Sequence, residues 1–169
     1  MDMKRIGLLM VCMMVMAVFT ANAKDGESET YRYELEALDG VASEGRVLLK
    51  VWSYGKKEKL TRQACMANAV HGIIFKGAPA GAGAGLIKGS KALCPEGYAA
   101  HKDYFDTFFR NGEYLQFVEL TNNGNIQAGD RIKISSKEYK VGMACIVNYT
   151  ALRAKLEGDG IAKGLNFLF

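Results

Sequence analysis

The chain has 169 residues, with 22 Lys and Arg against 18 Asp and Glu, and a formal net charge of +4. The charges are interspersed and form no basic stripe with interleaved aromatic residues, which argues against nucleic acid as a partner. The length is sufficient for one domain with its own hydrophobic core.

The first 23 residues have the organisation of a secretory signal. The basic pair Lys4-Arg5 precedes an apolar run from Ile6 to Phe19, and Ala21-Asn22-Ala23 supplies a small-x-small cleavage site. We therefore predict that residues 1–23 are a cleaved signal peptide, followed by a flexible start over residues 24–30. The protein is expected to be exported, to the periplasm or to the periphery of the outer membrane.

Two other interpretations of this segment remain open. The apolar run has about 14 residues, short of the roughly 20 needed to span a bilayer, yet it could be retained uncut as an anchor. Lipidation at Cys12 is the second interpretation, although Val11 stands where lipoprotein processing requires a small residue. No later apolar run is longer, so the sequence predicts no transmembrane segment in the mature chain.

Downstream of residue 30, the hydrophobic pattern alternates between strand and helix periods. Apolar residues at every second position predict strands, most clearly from Tyr139 onward, and helical spacing predicts helices. In chain order the predicted elements are a strand at 31–38, a strand at 46–54, a helix at 58–75, a glycine-rich loop at 77–97, a helix at 99–110, strands at 114–120, 131–134 and 139–149, and a helix at 151–157.

The order of these elements is β-β-α-loop-α-β-β-β-α. Strands that follow one another closely favour antiparallel pairing, and helices that interrupt them must cover the sheet. The sequence therefore predicts a single α+β domain over residues 31–169, with a mostly antiparallel sheet and helices packed on one face.

The loop at 77–97 contains both prolines of the chain and a run of glycines. The backbone amides of Gly81–Gly85 could bind a phosphate, but Lys88 precedes a glycine instead of following one, and the loop leaves a helix and not a strand. Both features contradict the known phosphate-binding loops. We therefore predict no nucleotide or other cofactor, and interpret the segment as a surface loop.

Long loops and apolar tails are frequent contact surfaces in proteins that bind other proteins. The residues predicted to touch a protein partner are Gly81, Gly83, Gly85, Phe167 and Phe169.

Three cysteines follow the signal, namely Cys65, Cys94 and Cys145. None are spaced as Cys-x-x-Cys, which argues against a thioredoxin-type site or a zinc knuckle. An exported protein can form disulfides, and Cys65–Cys94 is the first candidate pair. Cys145 lies in an apolar strand pattern and is expected to be buried as a small hydrophobic residue.

The two histidines offer little catalytic chemistry. His71 lies at the centre of the apolar face of a predicted helix, which is typical of a core histidine. His101 could serve as a base for Cys94 if the loop folds back, which gives a weak candidate for a nucleophilic pair. Two histidines without clustered acidic residues predict no metal site.

Three aromatic residues permit a further interpretation. Trp52, Tyr54 and Tyr114 could stack on sugar rings, although packing within a sheet or core is the usual role of such residues.

Several stretches resemble a family of uncharacterised exported proteins from Bacteroidetes. They are ANAVHGIIFKG at 67–77, FF at 108–109, GDRIK at 129–133, KEYKVG at 137–142 and LRAKLE at 152–157. The resemblance covers most of residues 46–164, and it implies export without implying an activity. The order of elements is also similar, more loosely, to small envelope modules such as the N-terminal domain of flagellar assembly protein T, which implies an assembly or accessory role.

These observations favour a non-enzymatic exported protein, a periplasmic accessory or assembly module that binds another envelope protein. One alternative is a cell-wall or thiol-dependent hydrolase that uses Cys94 and His101. The other is a glycan-binding module that uses the aromatic residues named above.

Overall fold

The computed structural model describes residues 31–38, 45–56, 61–80 and 89–163. The chain divides into two units, 1–30 and 31–169, and every described residue belongs to the second. The strands are β1 (Tyr33–Ala37), β2 (Arg46–Gly55), β3 (Val118–Leu120), β4 (Arg131–Lys133) and β5 (Tyr139–Asn148). The α-helices are α1 (Arg62–Phe75), α2 (Lys102–Arg110) and α3 (Tyr149–Gly158), and short 3-10 turns cover Tyr98–His101, Glu113–Phe117 and Thr121–Gly124.

The five described strands form one antiparallel sheet, which confirms the predicted α+β class. β2 and β5 lie at its centre and pair over ten residues, from Arg46 opposite Asn148 to Gly55 opposite Tyr139. β1 extends the sheet beside β2, whereas β3 and β4 pair with different halves of β5 on its other side. The element order along the chain is the one that the hydrophobic pattern predicts.

The hydrophobic core lies on one side of this sheet. Alternate residues of the two central strands, including Leu49 and Val51 on β2 and Cys145 and Val147 on β5, are fully buried. Because side chains alternate across a strand, these residues share a face. Buried residues of the three helices complete the core, and they include Ile73, Ile74, Phe105, Phe108, Leu152 and Leu156.

Helix α1 starts and stops where local chemistry requires it. The Thr61 hydroxyl accepts a hydrogen bond from the Ala64 N–H at 3.1 Å, so the helix begins at Arg62 and later than the sequence predicts. It ends before Gly77, whose φ of +84° is accessible mainly to glycine. Gly72 lets the helix approach β1 closely, since a Cβ there would lie 2.5 Å from Leu35 Cδ1.

The strand predicted at 114–120 is wrong over its first part. A 3-10 turn occupies Glu113–Phe117, and β3 begins only at Val118. Gly112 adopts the left-handed conformation at φ +74° and redirects the chain. A 3-10 turn returns to the same side every three residues, so Tyr114 and Phe117 both reach the core.

The glycine-rich segment is attached to the domain at both of its described ends. Ala78 and Ser90 form two hydrogen bonds of 3.0 Å each. The Ser90 N–H donates to the Ala78 carbonyl, and the Ala78 N–H donates to the Ser90 hydroxyl. Leu93 and Cys94 are buried, and the Cys94 N–H donates to the carbonyl of Ile74 at 2.9 Å. Residues 81–88, including three of the predicted contact glycines, lie outside the described residues.

Within the described part of the chain, no helix combines the length and apolar character needed to cross a bilayer.

We predict that Leu152→Ala lowers the free energy of unfolding by about 3 kcal/mol, because it leaves a cavity where α3 packs on the sheet. The matched control is Leu115→Ala, whose side chain is 40% exposed, and which we expect to change stability by less than about 0.5 kcal/mol. Urea denaturation of both variants measures the difference. Equal losses would contradict the packing of α3 described here.

Candidate functional site

The side of the sheet opposite the core holds the most distinctive surface of the described residues. It is formed by the side chains that alternate with the core residues on β1, β2 and β5, and we call it the open face. Its central members are Glu34, Glu36, Lys50, Trp52, Tyr54 and Lys140, with Gly142 beneath the indole. Apart from Gly142, these residues are half-buried or exposed, so the three described helices leave this side of the sheet uncovered.

Trp52 lies at the centre of the open face, flat against the neighbouring strand. A Cβ at Gly142 would lie 3.0–3.1 Å from three atoms of the six-membered ring, so the ring position depends on this glycine. The indole N–H donates to Glu36 at 2.6 Å. The ammonium groups of Lys50 and Lys140 lie 5.3 and 5.1 Å from the ring centroid, within the range of cation–π attraction.

Lysine and carboxylate side chains form ion pairs around this tryptophan. Lys140 binds Glu34 at 2.6 Å, and the Tyr54 hydroxyl donates to the same carboxylate. Hydrogen bonds from Lys140 and then Tyr54 hold the pKa of Glu34 below its usual value, and the same contact with Glu34 raises the pKa of Lys140. The charges of the open face are therefore largely balanced within it.

One ion pair crosses the open face above β5. Lys50 starts on β2 and reaches Asp130 at 2.8 Å, on the far side of the central strand, and the two side chains are only 19% and 12% exposed. The backbone of Asp130 is itself held in place, because its carbonyl accepts from the Gly142 N–H at 2.8 Å. A pair this shielded from water fixes geometry more than it adds stability.

Apolar residues lie at both ends of the open face. At one end Ile132 is 43% exposed, and it stands opposite Lys140 and so on the same side of the sheet, with Ile134 (49% exposed) two residues further along the chain. At the other end a cleft of about 240 Å³ lies between β2, β5 and the turn before β3, lined among others by Arg46, Leu115 and Ile146. The cleft is lined by charged side chains as well, and Arg46 and Glu119 form an ion pair of 2.9 Å there.

The structure does not bring Cys94 and His101 together as a nucleophile and its base. The Cys94 thiol is buried and directed at the Gly97 carbonyl at 3.9 Å, and burial raises its pKa, which disfavours the thiolate. His101 Nε2 contacts Glu96 at 3.2 Å. Cys94 thus contacts Gly97 and His101 contacts Glu96, and the thiol lacks the activation that nucleophilic catalysis needs.

The structure places Cys65 beside a cysteine other than the one that the sequence favours. Cys65, on the first turn of α1, lies against Cys145 on β5 with the two sulfur atoms 3.8 Å apart, whereas Cys94 contacts Gly97. Sequence separation gave no indication of this pair, because it depends on where α1 crosses the sheet. Cys145 is fully buried, as its apolar strand pattern predicts.

His71 packs inside an aromatic cluster between α1, β1 and α2. Its Nδ1 lies 2.6 Å from the Tyr33 hydroxyl, and the Tyr31 ring stacks on it at 3.8 Å between centroids. Burial, with Lys76 nearby, lowers the pKa of His71 to about 3, so the imidazole is neutral at pH 7. This agrees with the core role predicted from its helical position.

The remaining candidates divide between the core and the open face. Tyr114 is 2% exposed in the core, so it cannot join Trp52 and Tyr54 in a sugar-binding surface. Phe167 and Phe169, like the three contact glycines, lie outside the described residues. The described residues contain no group of three or more His, Cys, Asp and Glu side chains able to hold a metal ion.

Comparison with known proteins adds no relative. No protein-family model, no curated protein and no solved structure matches the chain. The open face and its neighbours must therefore be interpreted from their own chemistry.

We predict that Lys140→Met raises the pKa of Glu34 toward its ordinary value, since the main group that stabilises the carboxylate is removed. In the unaltered protein this pairing stabilises the fold above the unfolded-state pKa and is lost as pH falls through the lowered value. Carboxyl-carbon NMR titration measures the shift. Lys133→Met is the matched control on the other side of the sheet, and an equal change there would contradict the assigned contact.

We predict that His71 makes the protein less stable as pH falls from about 6.5 to about 3. In that range the unfolded chain binds a proton on this imidazole and the folded chain does not, so protonation favours unfolding. Urea midpoints measured between pH 7 and pH 4 should fall less steeply in His71→Phe. An unchanged slope in His71→Phe would contradict the burial of a neutral imidazole.

Proposed function

We propose that this chain is a non-enzymatic exported protein of the cell envelope, an accessory or assembly module that binds another protein through the open face. One observation chiefly supports the proposal. A sheet face that the described helices leave uncovered presents Trp52 at its centre, balanced ion pairs around it, and exposed aliphatic residues at both ends.

This combination is typical of protein interfaces. Binding energy in such interfaces concentrates on a few central aromatic or arginine residues, and a polar surround keeps water away from them. Trp52 is held in one orientation by Gly142 and Glu36, so ordering it on binding costs little conformational entropy. Ile132 and Ile134 are exposed close to each other, and neighbouring exposed apolar residues indicate an interaction site where single ones do not.

The partner chemistry follows from the charge pattern. Because the cations and anions of the open face neutralise one another, long-range attraction to a strongly charged partner is weak. The proposed partner is a folded envelope protein with a mixed polar and apolar surface. The export signal and the resemblance to exported Bacteroidetes proteins, given above from the sequence, support the envelope as the location.

A glycan is the second candidate ligand, and one observation favours it. Trp52 and Tyr54 are on the same side of β2, with Glu34 and Glu36 close to both, so aromatic rings and carboxylates could meet a sugar together. The loss of Tyr114 to the core reduces this surface to two aromatic rings. The exposed isoleucines favour a protein partner instead.

We predict that a photo-crosslinking residue at Ile134, which is 49% exposed at one end of the open face, captures the same few envelope proteins reproducibly in cells that export the chain. A residue at Thr107 on α2, which is also exposed but on the helical side, is the matched control and should capture none of them. Trp52→Ala should reduce the capture from Ile134 about tenfold or more, while thermal unfolding confirms that the variant folds.

Three results would contradict the proposal. Capture from Thr107 equal to that from Ile134 would show that the contacts are non-specific. Unchanged capture in Trp52→Ala would remove the tryptophan from the interface. Failure to capture protein, together with Trp52-dependent retention of the purified chain on immobilised cell-wall polysaccharide, would replace the protein partner with a glycan.

A further inference from the structure

The buried pair Cys65 and Cys145 joins two parts of the fold that are distant in sequence. Their sulfur atoms lie 3.8 Å apart although 80 positions separate them in the chain. Cys65 is on the first turn of α1 and is 2% exposed, and Cys145 is on the central strand β5 and is fully buried. The two thiols are therefore in van der Waals contact between α1 and β5, where a disulfide bond would link the helix to the sheet.

We propose that Cys65 and Cys145 form a disulfide in an oxidising environment, which fixes α1 to the middle of the sheet, and that Cys94 remains a free thiol. The sulfur atoms must approach from 3.8 Å to about 2.05 Å for the bond to form. The two thiols already meet at the interface between helix and sheet, so the bond would join residues that are neighbours in the folded chain.

The surroundings select this pair over the alternatives. Cys145 stands opposite Leu49 on one side and Leu120 on the other, so its position in the sheet is fixed by two neighbouring strands. The Cys94 thiol contacts the Gly97 carbonyl, three residues away in its own loop. The Cys145 thiol also contacts a carbonyl of its own strand, that of Met143 at 3.8 Å, so the contact between the Cys65 and Cys145 sulfur atoms is what distinguishes this pair.

Burial determines when the bond forms. In the folded dithiol, the contact with Cys65 and burial both raise the pKa of Cys145, so the pair reacts slowly once packed. Oxidation therefore occurs during folding, while the thiols are still accessible. This predicts that oxidant added during refolding is far more effective than oxidant added to the folded dithiol.

The reaction is a thiol–disulfide exchange with an organic disulfide as oxidant. One cysteine, as thiolate, attacks the oxidant's disulfide, a mixed disulfide forms, and one oxidant thiol leaves. The second cysteine then displaces the other oxidant thiol. The two cysteines lose two electrons and two protons, and the oxidant is reduced to two thiols.

The first test uses peptide linkage and needs no substitution. The full chain is reduced, unfolded, refolded with reduced and oxidised glutathione, treated with iodoacetamide and digested with trypsin. Cleavage after Lys and Arg places the four cysteines on separate peptides, 6–24, 63–76, 92–102 and 141–153. We expect peptide 63–76 linked to 141–153, and peptide 92–102 alkylated.

Other linkage patterns overturn the proposal. Alkylation of both 63–76 and 141–153 would show that the pair stays reduced under oxidising conditions. A link between 63–76 and 92–102 would replace it with the pairing that the sequence favoured. The linkage is measured on purified chain without a partner, so it stands or fails separately from the proposed function.

The second test measures what the bond does. Closing a loop of this length should raise the thermal midpoint by about 10 °C over that of the reduced chain. The Cys94→Ala variant is the matched control and should keep this difference, whereas the double variant Cys65→Ala, Cys145→Ala should lose it. If reducing the disulfide leaves the thermal midpoint unchanged, the bond does not stabilise the attachment of α1 to the sheet, and this part of the proposal is overturned.

Discussion

The pairing of β2 with β5 is the constraint on which the rest of the structure depends. Two ten-residue strands, one from each end of the described chain, meet along their whole length. Everything between them in sequence, including α1, α2 and three 3-10 turns, must start from one strand and return to the other. Such non-local pairing closes a large loop before its contacts form, which makes it a slow step in folding.

The same pairing creates two surfaces with opposite chemistry. On each strand, odd-numbered residues enter the core and even-numbered residues form the open face, so one register determines both. The core side is apolar and covered by helices. The open face combines charge, aromatic rings and small residues, with Gly142 leaving room for Trp52 and with Lys50 reaching across β5 to Asp130. A shift of one residue would exchange the two surfaces.

Hydrophobic pattern predicted the fold class and the order of elements well, because strands and helices in this chain have clear periods. It failed at 114–117, where an aromatic residue at every third position belongs to a 3-10 turn and resembles strand alternation in a short window. The Cys65–Cys145 contact, the burial of Tyr114 and the position of Gly142 under Trp52 all depend on which elements cross, and no local pattern contains that information. The even-numbered polar and aromatic residues of β2 were visible in the sequence, and they are the signal that could have identified the open face.

Trp52 is the only tryptophan in the chain. Its indole lies between two ammonium groups and donates to a carboxylate, and it stands at the centre of the proposed interface. The intrinsic ultraviolet fluorescence of this protein therefore comes chiefly from one ring on one surface, and emission spectra report on the polarity of that surface without an added label. The chain thus contains its own optical reporter for anything that covers the open face.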